Sequence, residues 1–196
     1  MTTPLRASDP ITQSKLEWLY RTMNRLYFDN ELPAHLPLRL MSNDALYDTL
    51  VGPNKRFGEH ATRMREKGRF SVPAAAFAMM WHREHGYPRR ESAFIAINAD
   101  LRPTVAGTVA VLAHEMTHAL HSLRARHVDE TKAYDDGGPL FFAEFDKRFP
   151  WEVAEIIKQP ASYPEESEEA GRYLLDDIRR RLRPKDPNDD WSGPLD

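Results

Sequence analysis

The chain has 196 residues, of which 41% are apolar, 29% charged and 10% aromatic, with 27 basic against 30 acidic side chains and a net charge of −3. That length suits one domain with an appendage and can bury a sizeable core, while the near-balanced charge does not mark a nucleic-acid or membrane-surface protein. The absence of cysteine removes disulfide scaffolds, thiol nucleophiles, zinc ribbons and iron–sulfur clusters, so any transition metal must be held by nitrogen and oxygen.

No apolar run reaches the roughly 18 residues of a membrane span; the densest is Val105 to Ala113. The N-terminal MTTPLRASDP lacks the apolar core of a secretory signal, so the expectation is a cytoplasmic protein without a membrane segment. Asp9-Pro10 reads as a cap and first helical position. Leu16, Leu19, Tyr20, Met23, Leu26 and Tyr27 then repeat at helical spacing, and Asp29-Asn30 before Leu32-Pro33 ends the helix. Leu36 to Met41 is a short strand. The charged, glycine-broken stretch from Asp48 to Arg69 reads as loop with at most one strand. Phe70 to Trp81 is apolar and fits strand or helix, and His82 to Arg90 is a basic turn region.

Ser92 to Asn98 (SAFIAIN) is the clearest strand in the sequence. Pro103-Thr104 opens a long helix to about Arg124, with Val105, Val109, Leu112, Met116, Leu120 and Leu123 as its apolar stripe. Further helices are expected over Pro139 to Phe149, Trp151 to Gln159 and Pro164 to Arg183. The polar, proline-rich residues 184–196 are expected to be disordered. Helix, strands, long helix and more helices in that order predict an α+β fold.

The long helix carries His114-Glu115-Met116-Thr117-His118, an HExxH pattern. Residues four apart lie one turn apart on the same helix face, so both imidazoles can reach one ion at about 2.0–2.1 Å. Glu115 sits one step round the helix, near enough to touch a coordinated water without ligating the metal. Zinc lowers the pKa of such a water to about 7, and the carboxylate can take its proton and pass it to a leaving amine. His114 and His118 also lie off the apolar stripe, as ligands facing a cleft should.

HEMTHAL after the strand SAFIAIN, with LYFDNELP following the first amphipathic helix, resembles the SprT-like (Spartan-type) zinc metalloprotease domain over about residues 12–149. The resemblance implies a zincin-like α+β fold in which a small mixed sheet sets an edge strand, here Ala93 to Ile97, beside the HExxH helix. It assigns residues 1–160 to the peptidase domain and 161–183 to a C-terminal helix packed on it. Family members place a third histidine in an H-G-P-x-F or Y-H-N-x-E-W segment before the next helix. The corresponding Ala133 to Phe141 contains none. Aligning on G-P-x-F puts Gly137 at that position, and aligning on the tyrosine puts Asp135 there. Asp135 or Asp136 is therefore the expected third zinc ligand, with Glu144 next and His121 as a further alternative, although both aspartates could instead cap the helix at Pro139. His121 is expected beside the ligands or facing solvent. Tyr134 is the candidate donor to the substrate carbonyl.

The resulting expectation is a zinc-dependent peptidase acting on extended protein or peptide substrates, with Zn2+ as cofactor. A peptide would add by main-chain hydrogen bonds to the strand beside the active helix. The competing expectation is a catalytically inactive zincin-fold module that binds peptides or proteins, with association with DNA as a further option. Arg89-Arg90 and Arg179-Arg180-Arg181 could meet phosphates, but acidic residues crowd the same C-terminal helix.

Overall fold

The computed structural model describes residues 5–51, 62, 65–66, 74–77, 94–124, 138–157 and 165–183. Within them the chain runs α1 (Gln13–Tyr27), β1 (Leu38–Met41), α2 (Asn43–Val51), β2 (Ala74–Phe77), β3 (Phe94–Asn98), a 3-10 turn (Ala99–Leu101), α3 (Val105–Arg124), α4 (Pro139–Arg148), α5 (Trp151–Ile157) and α6 (Glu165–Leu182). The class is α+β, mostly helical with a small sheet. No helix of the described residues is long and apolar enough to cross a membrane.

Helix α1 starts at Thr12, whose hydroxyl accepts from the Lys15 backbone N–H, and not at Asp9-Pro10 as the sequence suggests. The earlier residues have other work. The Asp9 carbonyl accepts from Val105 N–H at 2.8 Å and the Ala7 carbonyl from Ala106 N–H at 3.0 Å. The Thr104 hydroxyl takes Gly107 N–H at 3.1 Å. Three N–H groups that a helix start leaves without intrahelical partners are thus satisfied at the head of α3.

The turn after α1 is locked in detail. Asp29 and Asn30 adopt left-handed backbone at φ 51° and 59°, which short polar side chains tolerate. The buried Asn24 amide pins Leu32 on both sides, donating to its carbonyl at 2.9 Å and accepting from its N–H at 3.2 Å. The Tyr20 hydroxyl donates to the Pro33 carbonyl at 2.7 Å. These contacts are the structural content of LYFDNELP.

The sheet has the order β1-β3-β2, with β1 parallel and β2 antiparallel to β3. The expectation that SAFIAIN forms the edge strand is corrected: β3 is central, and β2 takes an edge. The reason is burial on both faces. Ile95 and Ile97 enter the main core, whereas Phe94 and Ala96 pack with Leu46 of α2. Helix α2 itself corrects the expectation of loop where it overlaps Asp48 to Arg69. It begins with Ser42, whose hydroxyl accepts from Ala45 N–H at 3.2 Å. The rest of that stretch, apart from 62 and 65–66, lies outside the described residues, as do the basic turn at 82–90 and the tail from 184.

Helix α6 packs along α3. At Gly171 the helices touch backbone to backbone: a Cβ there would stand 1.8 Å from the Ala106 carbonyl oxygen. A glycine inside a helix costs about 1 kcal/mol against alanine, and here the close approach requires it. The two helices are also joined where the Thr104 hydroxyl donates to Glu168 at 2.7 Å. On α6 the buried Asp177 accepts from the Tyr27 hydroxyl at 2.7 Å and from Arg181 Nε at 2.7 Å, and it also pairs with Arg180. Burial alone would raise the Asp177 pKa, but Arg180, Tyr27 and Arg181 outweigh it and hold the carboxyl below the ordinary aspartate range.

Two predictions follow from α6. Gly171→Ala should lose at least about 2 kcal/mol in urea unfolding, because rigid backbone has to move; a melting curve overlying that of the wild type would exclude the close approach. Asp177 is depressed in the folded state, so its stabilisation is present above the unfolded pKa near 4 and is lost as pH falls through the lower folded value. Asp177→Asn should cost about 2 kcal/mol at neutral pH. It should also flatten the decline of stability below pH 4, read from urea titrations at a series of pH values.

Candidate metal centre

Helix α3 is buried on nearly every side. From Val105 to His121 the side chains are buried except at Gly107, His114 and His118. Those three positions, spaced seven and four, fall on one face, so the only accessible stripe in that span carries both histidines. Their Nε2 atoms face one another at 3.0 Å. Two nitrogens each bound at 2.0–2.1 Å to one tetrahedral ion stand about 3.3 Å apart, so the pair fits the near side of a single cation's coordination shell. Glu115, one step round the helix, is 8% exposed. Thr117 turns its hydroxyl back to the Ala113 carbonyl at 3.0 Å and so serves the helix.

Helix α4 closes over the imidazoles. It begins at Pro139, with Gly138 at the cap position and no side-chain cap among the described residues. Phe141, 1% exposed, stacks on His118 with centroids 4.4 Å apart and planes at 23°, and meets His114 edge-on at 5.0 Å and 66°. Phe145 and Phe149 extend the aromatic row at 4.8 and 5.2 Å, and Phe149 stacks on Tyr27 at 5.1 Å. The spacing 141, 145, 149 is one helical face and was visible in the sequence. Its place against the histidines was not.

Arg148 anchors the far end of α4. Its guanidinium, with the side chain only 3% exposed, donates to the Tyr27 carbonyl at 2.8 Å, to Glu31 at 2.7 Å and to Glu144 at 2.5 Å. It also lies 5.0 Å over the Phe28 ring. Arg124, at the end of α3, pairs with Glu31 and stands 3.5 Å from Glu144. Burial would raise the Glu31 pKa, and the two arginines hold it below its ordinary value instead. Glu144, an alternative third ligand from the sequence, is thus engaged by two guanidinium groups. That makes it a poor metal donor, because a carboxylate must release such partners to coordinate.

His121, expected beside the ligands or in solvent, is buried at 3% exposure. Burial pushes its imidazole down to about 4, with Glu144 opposing and His118, Arg124 and Arg148 adding to the depression, so the ring is neutral at physiological pH. Tyr134, Asp135 and Asp136 lie outside the described residues. Among the described residues no group of three or more histidine, aspartate or glutamate side chains stands together as a metal site. The arginine run of α6 is engaged within the fold: Arg179 pairs with Asp176 at 2.6 Å and donates to the Leu5 carbonyl at 2.6 Å, and Arg180 and Arg181 pair with Asp177.

In comparison with known proteins, no family model, curated sequence or solved structure matches the chain.

Removing Arg148 leaves Glu31 and Glu144 with the half-exposed Arg124 alone and takes the donor from the Tyr27 carbonyl. Arg148→Met should therefore destabilise by about 3 kcal/mol, whereas Arg172→Met, on the exposed pair with Glu168, should cost less than about 1 kcal/mol. Chemical denaturation of both variants measures the difference, and equal costs would remove Arg148 from its anchoring role.

Proposed function

We propose that the protein is a zinc-dependent metallopeptidase of the SprT-like type, hydrolysing peptide bonds in extended protein or peptide substrates. The observation that carries this reading is the pair of imidazole nitrogens, 3.0 Å apart on the one accessible stripe of a buried helix. The locked LYFDNELP turn and a small sheet packed against the same helix support it. His114 and His118 would hold the ion through Nε2, leaving a third position for a carboxylate. Asp136 and Asp135 precede by three and four residues in sequence the start of α4, the helix that packs on both histidines. Either aspartate would complete the three-ligand set usual for catalytic zinc.

Zinc, when bound, supplies a Lewis acid that polarises the scissile carbonyl and brings the pKa of a water close to neutral. Glu115 takes the proton of the attacking water and returns it to the leaving amine. Its position beside the first histidine, in a largely water-excluded setting, suits a base that works at short range. Tyr134 donates to the carbonyl oxygen as negative charge develops there. The substrate strand adds to the outer side of β2, which has no strand partner among the described residues and runs antiparallel to β3. This moves the docking edge from SAFIAIN to Ala74–Phe77.

Elemental analysis of the purified chain tests the metal first. About one zinc per chain is expected, lost in His118→Ala and weakened in the Asp135→Ala/Asp136→Ala double variant. Glu115→Gln should keep the zinc and lower peptide hydrolysis by at least about 100-fold, the low end of what a positioned base contributes. Zinc retained in a chain that binds peptides without cutting them would move the reading to the inactive binding module. No metal uptake after zinc is supplied would end the peptidase reading.

A further inference from the structure

We infer that Phe141 is a positioning residue for the metal centre, fixing the planes of both imidazoles so that their Nε2 atoms converge before any ion arrives. This inference rests on the metal reading above and assigns the site a support that the HExxH pattern does not contain. The torsion that turns a histidine ring about its Cβ–Cγ bond is soft and broad, so the backbone of α3 alone does not set where Nε2 points. One flat ring meets both imidazoles at different angles, 23° for His118 and 66° for His114, and the two imidazole planes stand at 72° to one another. Rotation of either ring therefore runs into Phe141, which is itself fully buried and cannot yield into solvent.

Phe141 in turn has a fixed seat. Phe145 backs it at 4.8 Å, and Arg148, one further turn along α4, is held by the Tyr27 carbonyl and by Glu31. The turn after α1 thus reaches the metal centre through α4. Groups that orient metal-binding histidines from behind commonly change metal affinity 10–100-fold when replaced, and a packed aromatic wall acts on the same ring torsion.

The test compares two substitutions of equal size at opposite ends of the aromatic row in the full-length chain. Phe141→Leu removes the wall at the histidines, and Phe149→Leu removes a similar ring against Tyr27 and Phe28. Zinc affinity is measured by competition with a chromophoric chelator, and the ligand field by the visible absorption of the Co2+-loaded protein. Phe141→Leu should weaken zinc binding about tenfold and alter the Co2+ spectrum. Phe149→Leu should lower the melting temperature by a similar amount and leave both readouts at wild-type values. If Phe141→Leu does not fold, Phe141→Met, with its pliable side chain, carries the same expectation. Wild-type affinity and spectrum in a folded Phe141 variant, or equal losses in the Phe141 and Phe149 variants, would overturn the inference. A wild-type chain that takes up neither Zn2+ nor Co2+ would instead bring down the metal reading beneath it.

Discussion

A helix surrounded on nearly all sides can offer solvent only a narrow stripe, and what stands on that stripe is then positioned by the whole fold. Helix α3 is such a helix. The sheet lies against it, α6 runs along it with backbone contact at Gly171, and α1, α4 and α5 also pack on it. His114 and His118 occupy the opening. Neither histidine can shift without moving a helix that five other elements hold, so the precision of the imidazole pair comes from the core. On the proposed reading, this is the rigid mounting that a metal centre with few ligands would require.

Burial of that kind leaves polar groups to be satisfied, and the structure does so with long-range partners. The head of α3 takes carbonyls from Ala7 and Asp9. Its last turn meets Glu31 and Glu144 through Arg124, and both carboxylates are shared with Arg148. A buried arginine with one missing carboxylate would be strongly destabilising, so each member of this cluster constrains the others. The cluster joins the turn after α1, the end of α3 and the end of α4 at one point.

Much of this was legible in the sequence, for identifiable reasons. The long helix, the strand before it and the first amphipathic helix carry strong periodicity, and the HExxH spacing places two nitrogens on one face without further information. The local errors have local causes. Asp9-Pro10 has the chemistry of a helix start, but its carbonyl was needed by α3, about a hundred residues on. Ser42-Asn43-Asp44 is a sound capping sequence, although the charged residues after it masked the helix. The family resemblance implies an edge position for SAFIAIN, yet the four apolar residues in a row from Phe94 to Ile97 indicate a strand covered on both faces. Phe141, Arg148 and Glu31 could not be assembled from pattern at all. Their roles depend on which helix lies over which, and no periodicity encodes that.

The fastening of residues 5–11 has a consequence for how the chain acquires its fold. The Leu5 carbonyl is bound by Arg179 across 174 residues of sequence, and Ala7 and Asp9 bind the head of the central helix. During synthesis these early residues emerge long before the groups they join. These contacts therefore close last, over large loops whose closure entropy is met before the contacts form. Until α6 is made, the head of α3 lacks one of its walls, and the histidine stripe acquires its surroundings only when nearly all of the chain is present.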